Sequence, residues 1–168
     1  MKKRFMFFWL VWGLLVVWGI GEVRASEEIV PPPYSDMRHK ELSTIHLLAT
    51  NAYHEGRGES DIANLAIMSV VYARTLLGGR YGNSYEEVIF KPYMFSWTND
   101  GKSDRIRDKE QYGRLYLLAE RFLIDKDMYL SIFERADHYH KVGIKTNWNY
   151  RKLDYIGRID NHVFYRHK

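Results

Sequence analysis

The stretch LSTIHLLATNAYHEGRGESDIANLAIMSVVYARTLL, residues 42–77, decides the fold. Leu42, Ile45, Leu48, Ala49 and Ala52 recur at three- and four-residue spacing, which puts them on one face of a helix from about His39 to Tyr53. Gly56 and Gly58 are expected to break that helix. Ser60 or Asp61 can cap a second one, carried by Ile62, Leu65, Ala66, Ile67, Val70, Val71 and Ala73. This second helix is apolar over much of its circumference, so it reads as the central, buried element. Gly78-Gly79 ends it.

Working outward, Ser84 with Glu87 is a capping-box pattern that opens a short helix, and Pro92 closes it. Asp108 with Gln111 repeats the pattern and starts a third long helix, striped by Tyr112, Leu115, Tyr116, Ala119, Phe122 and Leu123. After about Asp127 no period dominates. Asp137 to Val142 reads as a short strand. Ile156–Ile159 and His162–Tyr165 flank Asp160-Asn161, a pair that tolerates the positive φ of a tight hairpin. The body is therefore α+β, mostly α, with a small antiparallel sheet toward the C-terminus.

The chain has 168 residues, with 46% hydrophobic, 15% aromatic and 27% charged positions, a globular composition. It has no cysteine, which excludes a disulfide framework, a thiolate zinc site and a cysteine nucleophile. The net charge of +4 is concentrated at the N-terminus: without residues 1–25 the chain has 21 basic and 20 acidic residues. A nearly neutral body gives no support to a nucleic-acid partner. Residues 1–25 hold Lys2, Lys3 and Arg4, then an uncharged apolar run over residues 5–20, then Val23 and Ala25 before Ser26. That is an export signal: a cleaved signal peptide, or an anchor in the inner membrane if the segment is retained. Residues 26–36, with Pro31-Pro32-Pro33, form a semi-rigid linker. Residues 37–168 form the domain, expected in the periplasm or cell envelope as a monomer.

Three clusters can carry chemistry. His54-Glu55-Gly56-Arg57-Gly58-Glu59 begins like a zinc-protease motif, but Gly58 stands where the second histidine is required. What remains is a carboxyl at a helix C-terminus, where the dipole and partial burial raise its pKa toward the range of a general acid. A plain ion pair of Glu55 with Arg57 is the competing interpretation. Phe95, Ser96 and Trp97 combine aromatic faces and a hydroxyl, which suits sugar rings and equally suits a core. His138 and His140 share one strand face, and with His162 could form a metal site. The alternative is that these are ordinary hydrogen-bonding histidines. No cofactor is expected.

Taken in order, these pieces resemble the catalytic domain of the SleB-type cell-wall hydrolases, the spore cortex-lytic family. The matching elements are Glu55-Gly56-Arg57-Gly58-Glu59, Val70-Val71-Tyr72-Ala73-Arg74, Met94-Phe95-Ser96-Trp97 with Asp100-Gly101-Lys102, Tyr139-His140, and Ile156-Gly157 with His162-Val163-Phe164-Tyr165. Together they span Ser43 to Tyr165. Gly56 replaces the family's alanine and is expected to loosen the loop. Met94 replaces a glutamine and Ala73 an asparagine.

The resemblance implies a lysozyme-like fold and cleavage of the N-acetylmuramic acid–N-acetylglucosamine bond of peptidoglycan glycan strands. It implies Glu55 as catalytic acid. Arg57, Glu59, Phe95, Ser96, Trp97, Tyr139, His140 and His162 are then substrate-binding or supporting residues, Glu59 as a partner of Arg57. Ordinary glycosidases use two carboxylates. The head of this motif offers one, which fits a lytic transglycosylase, where the sugar's own 6-hydroxyl attacks C1. Two alternatives stand beside it: an inactive peptidoglycan-binding scaffold, and a metal-dependent hydrolase built on His138, His140 and His162.

Overall fold

The computed structural model of the protein describes residues 43–168. The expected signal segment and linker lie outside the described residues. The chain runs through α1 (Thr44–Gly56), α2 (Asp61–Leu77), α3 (Tyr85–Phe90), α4 (Lys109–Ile124) and α5 (Lys126–Ile132). Strands β1 (His138–Lys141), β2 (Leu153–Ile159) and β3 (His162–His167) follow. Short 3-10 turns occupy Ser96–Thr98 and Tyr150–Lys152. The α+β class expected from the sequence is the one observed.

The helices begin where side chains can satisfy their free N–H groups. Ser43, Ser60, Ser84 and Asp108 each accept a hydrogen bond from the backbone N–H three residues on. α2 is the central element, buried without interruption from Ala63 to Arg74. α1 packs against it through Leu48, Ala49 and Ala52, and α4 closes the layer with Tyr112, Leu115, Ala119 and Phe122. α5 lies on α2 through Tyr129 and Leu130. No sequence period announces α5, because Asp125 both ends α4 and starts α5 with no glycine or proline between them.

α1 differs from expectation at its end. It continues through Glu55 to Gly56, so the candidate acid sits in the last helical turn. Gly56 does not loosen a loop. A Cβ placed there would stand 2.5 Å from Asn64 Oδ1 and 2.8 Å from Ile67 Cδ1 on α2. The absent side chain is what lets the two helices meet. Asn64 Nδ2 then donates to the carbonyls of Gly56 (3.0 Å), Ser60 (3.0 Å) and Glu59 (3.3 Å), fixing the connection.

The sheet has the order β1-β3-β2 and is antiparallel, with a bulge between Tyr155 and Gly157. Asp160 adopts φ 47° at the hairpin tip. That tip is tied to the α1–α2 connection: Ser60 N–H donates to Asp160 Oδ2 (2.7 Å), and Asn161 N–H donates to Glu59 Oε2 (3.2 Å). The sheet's inner face is thereby set against the end of α1.

Candidate active site

Glu55 lies in a cleft of about 640 Å³ between the end of α1, the 93–96 segment, β1 and the loop carrying Trp148. Its Oε2 accepts a hydrogen bond from the Tyr139 hydroxyl at 3.1 Å. Its Oε1 is buried. Burial raises the Glu55 pKa, and it outweighs the Tyr139 hydrogen bond, the charges of Lys141 and Arg74, and the Ser96 backbone N–H, all of which favour the carboxylate. The helix C-terminus acts in the same direction as burial. Tyr139 is held well above the usual phenol range by burial and by the Glu55 charge, so its hydroxyl stays a donor.

Among the described residues that line the cleft, Glu55 is the sole carboxylate. The other walls are cationic, aromatic and hydroxylic. Arg74 lies beneath the floor, 5% exposed, with Nε donating to the Asp137 carbonyl at 2.8 Å. Its guanidinium lies against the rings of Phe95 (5.1 Å) and Tyr81 (5.5 Å). His54 stacks on Trp97 at 4.6 Å, and burial pulls its pKa down, so it faces the cleft as a neutral ring.

The expected site residues divide into two groups. Phe95, Ser96, Tyr139, His140 and His162 all line the cleft with Glu55. Trp97 instead turns into the core and donates from its indole to Asn51 Oδ1 at 3.0 Å. Arg57 lies outside the cleft, its guanidinium on Tyr53 and its Nη1 donating to that hydroxyl at 3.0 Å. The expected Arg57–Glu59 partnership is therefore corrected. Glu59 turns to the hairpin, accepting from Asn161 and standing 3.9 Å from His162 Nδ1. Asp61 is exposed and paired with Arg114.

The histidine trio is corrected as well. Strand alternation places His138 and His140 on the face that carries Val163 and Tyr165. His162 pairs with Lys141 and shares the opposite face with Tyr139, whose ring lies 5.4 Å away. His138 Nδ1 is engaged by Asp137 (2.8 Å), and His140 Nδ1 by the Lys141 carbonyl (2.9 Å). No group of His, Asp and Glu among the described residues could hold a metal ion.

Several cleft residues escape the sequence reading, Arg74 and Tyr93 among them. Arg74 registers there only as the end of a motif; its place inside an apolar helical run is the signal that it is buried. Tyr93 stands on the cleft rim, 91% exposed, with φ 66°. A bulky residue in the left-handed region is strained, and no local pattern announces it.

The Cell Wall Hydrolase family model matches residues 58–165, a span that begins three residues after Glu55. Two solved structures share the fold. The catalytic domain of the Bacillus cereus SleB protein is 24% identical, covering 73% of this chain and 89% of that one, with a TM-score of 0.54. The catalytic domain of the germination-specific lytic transglycosylase SleB from Bacillus anthracis is 23% identical, covering 75% of this chain and 98% of that one, with a TM-score of 0.56. Curated protein sequences give no match.

Proposed function

The chain belongs to the cell wall hydrolase family, and from that premise we propose that it cleaves the N-acetylmuramic acid–N-acetylglucosamine bond of peptidoglycan with Glu55 as its single acid and base. The observation that carries this is the cleft itself: one carboxyl, its pKa raised by burial, in a groove whose other lining residues include rings, hydroxyls and cations but no second carboxylate. Glu55 gives its proton to the glycosidic oxygen as the bond to C1 breaks. The resulting carboxylate then takes the proton of the muramic 6-hydroxyl as that oxygen closes on C1. No second carboxylate and no water are consumed, and the muramic end leaves as the 1,6-anhydro sugar. Tyr139 stabilises the transient carboxylate through its hydroxyl. Arg74 does so through its charge.

The likeness to a lytic transglycosylase from Bacillus anthracis supports the same reading. An inverting hydrolase needs a second carboxyl about 6.5–9.5 Å from the acid to activate water. Asp61 is committed to Arg114 on the surface, and Glu59 to the hairpin tip behind His162. Neither lines the cleft. The substrate places the domain outside the cytoplasm, delivered by residues 1–25. A peptidoglycan release assay tests the function. The body from Ser26 is expected to solubilise purified sacculi, and binding without release would favour the inactive scaffold.

A further inference from the structure

The outer face of the sheet breaks the usual rule for a one-sided antiparallel sheet. Such a face is ordinarily polar. Here it carries a ladder of rings. Tyr155 on β2 pairs with Tyr165 on β3, ring centres 5.7 Å apart. Tyr165 stacks on His140 of β1 at 5.6 Å and meets Trp148 at 6.3 Å and Tyr150 at 5.4 Å. Trp148 reaches His138 at 4.9 Å. Trp148, His138 and His140 also line the cleft that holds Glu55. The ladder is thus continuous with the cleft and leads away from it across all three strands.

The loop between β1 and β2 adds rings to this face and leaves Tyr165 and Trp148 half-buried, with Tyr155 and Tyr150 open to solvent. Tyr155 is 64% exposed and Tyr150 is 42% exposed. Two interstrand spacings give the face a width of about 10 Å, room for about two sugar rings. A pyranose presents an apolar C–H face that lies flat on an aromatic ring, while its hydroxyls stay in water or bond to groups at the edge. Arg158 lies on the same outer face, in register with Val163. Rings with a polar margin suit a saccharide better than they suit a hydrocarbon surface.

We propose that the Tyr155–Tyr165–Trp148 face is an extended saccharide subsite that holds the glycan strand beyond the residues being cleaved. The inference rests on the glycan-cleaving reading of the cleft. It makes the enzyme selective for long strands: units on the ladder contribute binding that a short fragment cannot reach.

The test compares Tyr155→Ala with Tyr155→Phe, both at an exposed position and both checked by circular dichroism. Two readouts are taken: retention on insoluble peptidoglycan, and kcat/KM on long glycan strands against the shortest fragment the enzyme cuts. Tyr155→Ala is expected to lose about three- to tenfold on long strands and in retention, the size of one stacking contact. It should stay within twofold of wild type on the short fragment, with Tyr155→Phe matching wild type throughout. Equal losses on long and short substrates, unchanged retention, or Phe behaving like Ala would overturn the subsite. So would a change of oligomeric state in Tyr155→Ala, which would make the face a contact between copies. Should wild type bind peptidoglycan and cut none of it, the cleavage reading fails, and the retention comparison alone decides the subsite.

Discussion

The Tyr139 hydroxyl donates to Glu55 Oε2 at 3.1 Å, joining the last turn of α1 to the first strand of the sheet across 84 positions of sequence. The contact links the helical part and the sheet at the proposed catalytic acid. It favours the carboxylate, so it moderates the upward push of burial on Glu55.

Removing that bond has a definite sign. In Tyr139→Phe the Glu55 pKa rises further, because a group that favoured the charged form is gone. A general acid works only while protonated, so the alkaline fall of kcat/KM is expected to move to higher pH. The rate itself should drop about tenfold, since the carboxylate formed during reaction loses its hydrogen bond. An unshifted pH profile would place Tyr139 outside the proton chemistry.

Glu55→Gln separates catalysis from folding. General acid catalysis contributes about 100- to 10,000-fold, and a loss of at least that order is expected. The folded-state pKa of Glu55 is raised. Its contribution to stability is therefore complete below the unfolded-state pKa and lost as pH rises through the folded value. The amide escapes that penalty, so Glu55→Gln should unfold later than wild type at neutral pH and lose this advantage in acid. Thermal unfolding at the two pH values reads both.

Gly56→Ala tests the meeting of α1 and α2. The added methyl would lie within 3 Å of Asn64 and Ile67 side-chain atoms. Overpacking of this kind costs about 1–3 kcal/mol, which a urea titration resolves. Unchanged stability would show that the junction gives way freely.

That junction also shows how far the sequence can be read. Helix positions follow from apolar spacing and capping residues, because both are local: Ser84 and Asp108 accept from the N–H of Glu87 and Gln111, although the Glu87 side chain reaches back to Asn83 N–H and Gln111 turns to the Arg57 carbonyl. The hairpin followed from Asp160-Asn161. Gly56 reads from the sequence as a loosening of the loop, whereas its role depends on Asn64 and Ile67 of another helix. Arg57 reads as a substrate-binding or supporting residue from its place in the motif, yet two positions along a helix point away from one another, and it lies on Tyr53 outside the cleft. The histidine trio failed on strand register, which puts His162 on the inner face. The place of Glu55 in the cleft is legible because a motif and a helix end coincide there.

Tyr93 is predicted to exchange stability for function. Glycine accepts φ 66° without strain, so Tyr93→Gly should leave stability within about 1 kcal/mol of wild type or improve it. If the ring holds sugar at the cleft rim, kcat/KM on peptidoglycan falls several-fold in the same variant. Full activity would show that the exposed ring touches no substrate.

The proposed export role of residues 1–25 has its own test. Alkaline phosphatase fused after residue 36 is expected to be active, as it is only outside the cytoplasm. N-terminal sequencing of the mature protein then distinguishes cleavage before Ser26 from a retained anchor.

Mass spectrometry of the muramic ends released from purified peptidoglycan addresses the single-carboxylate mechanism most directly. A lone Glu55 that recycles its proton through the sugar's 6-hydroxyl yields 1,6-anhydro ends, lighter by one water than hydrolytic ends. Reducing muramic ends as the dominant product would contradict it and require a water-activating group. Glu59→Gln locates that group: near-complete loss of activity would assign it to Glu59, acting from behind His162. A partial loss with the anhydro product unchanged is the predicted result.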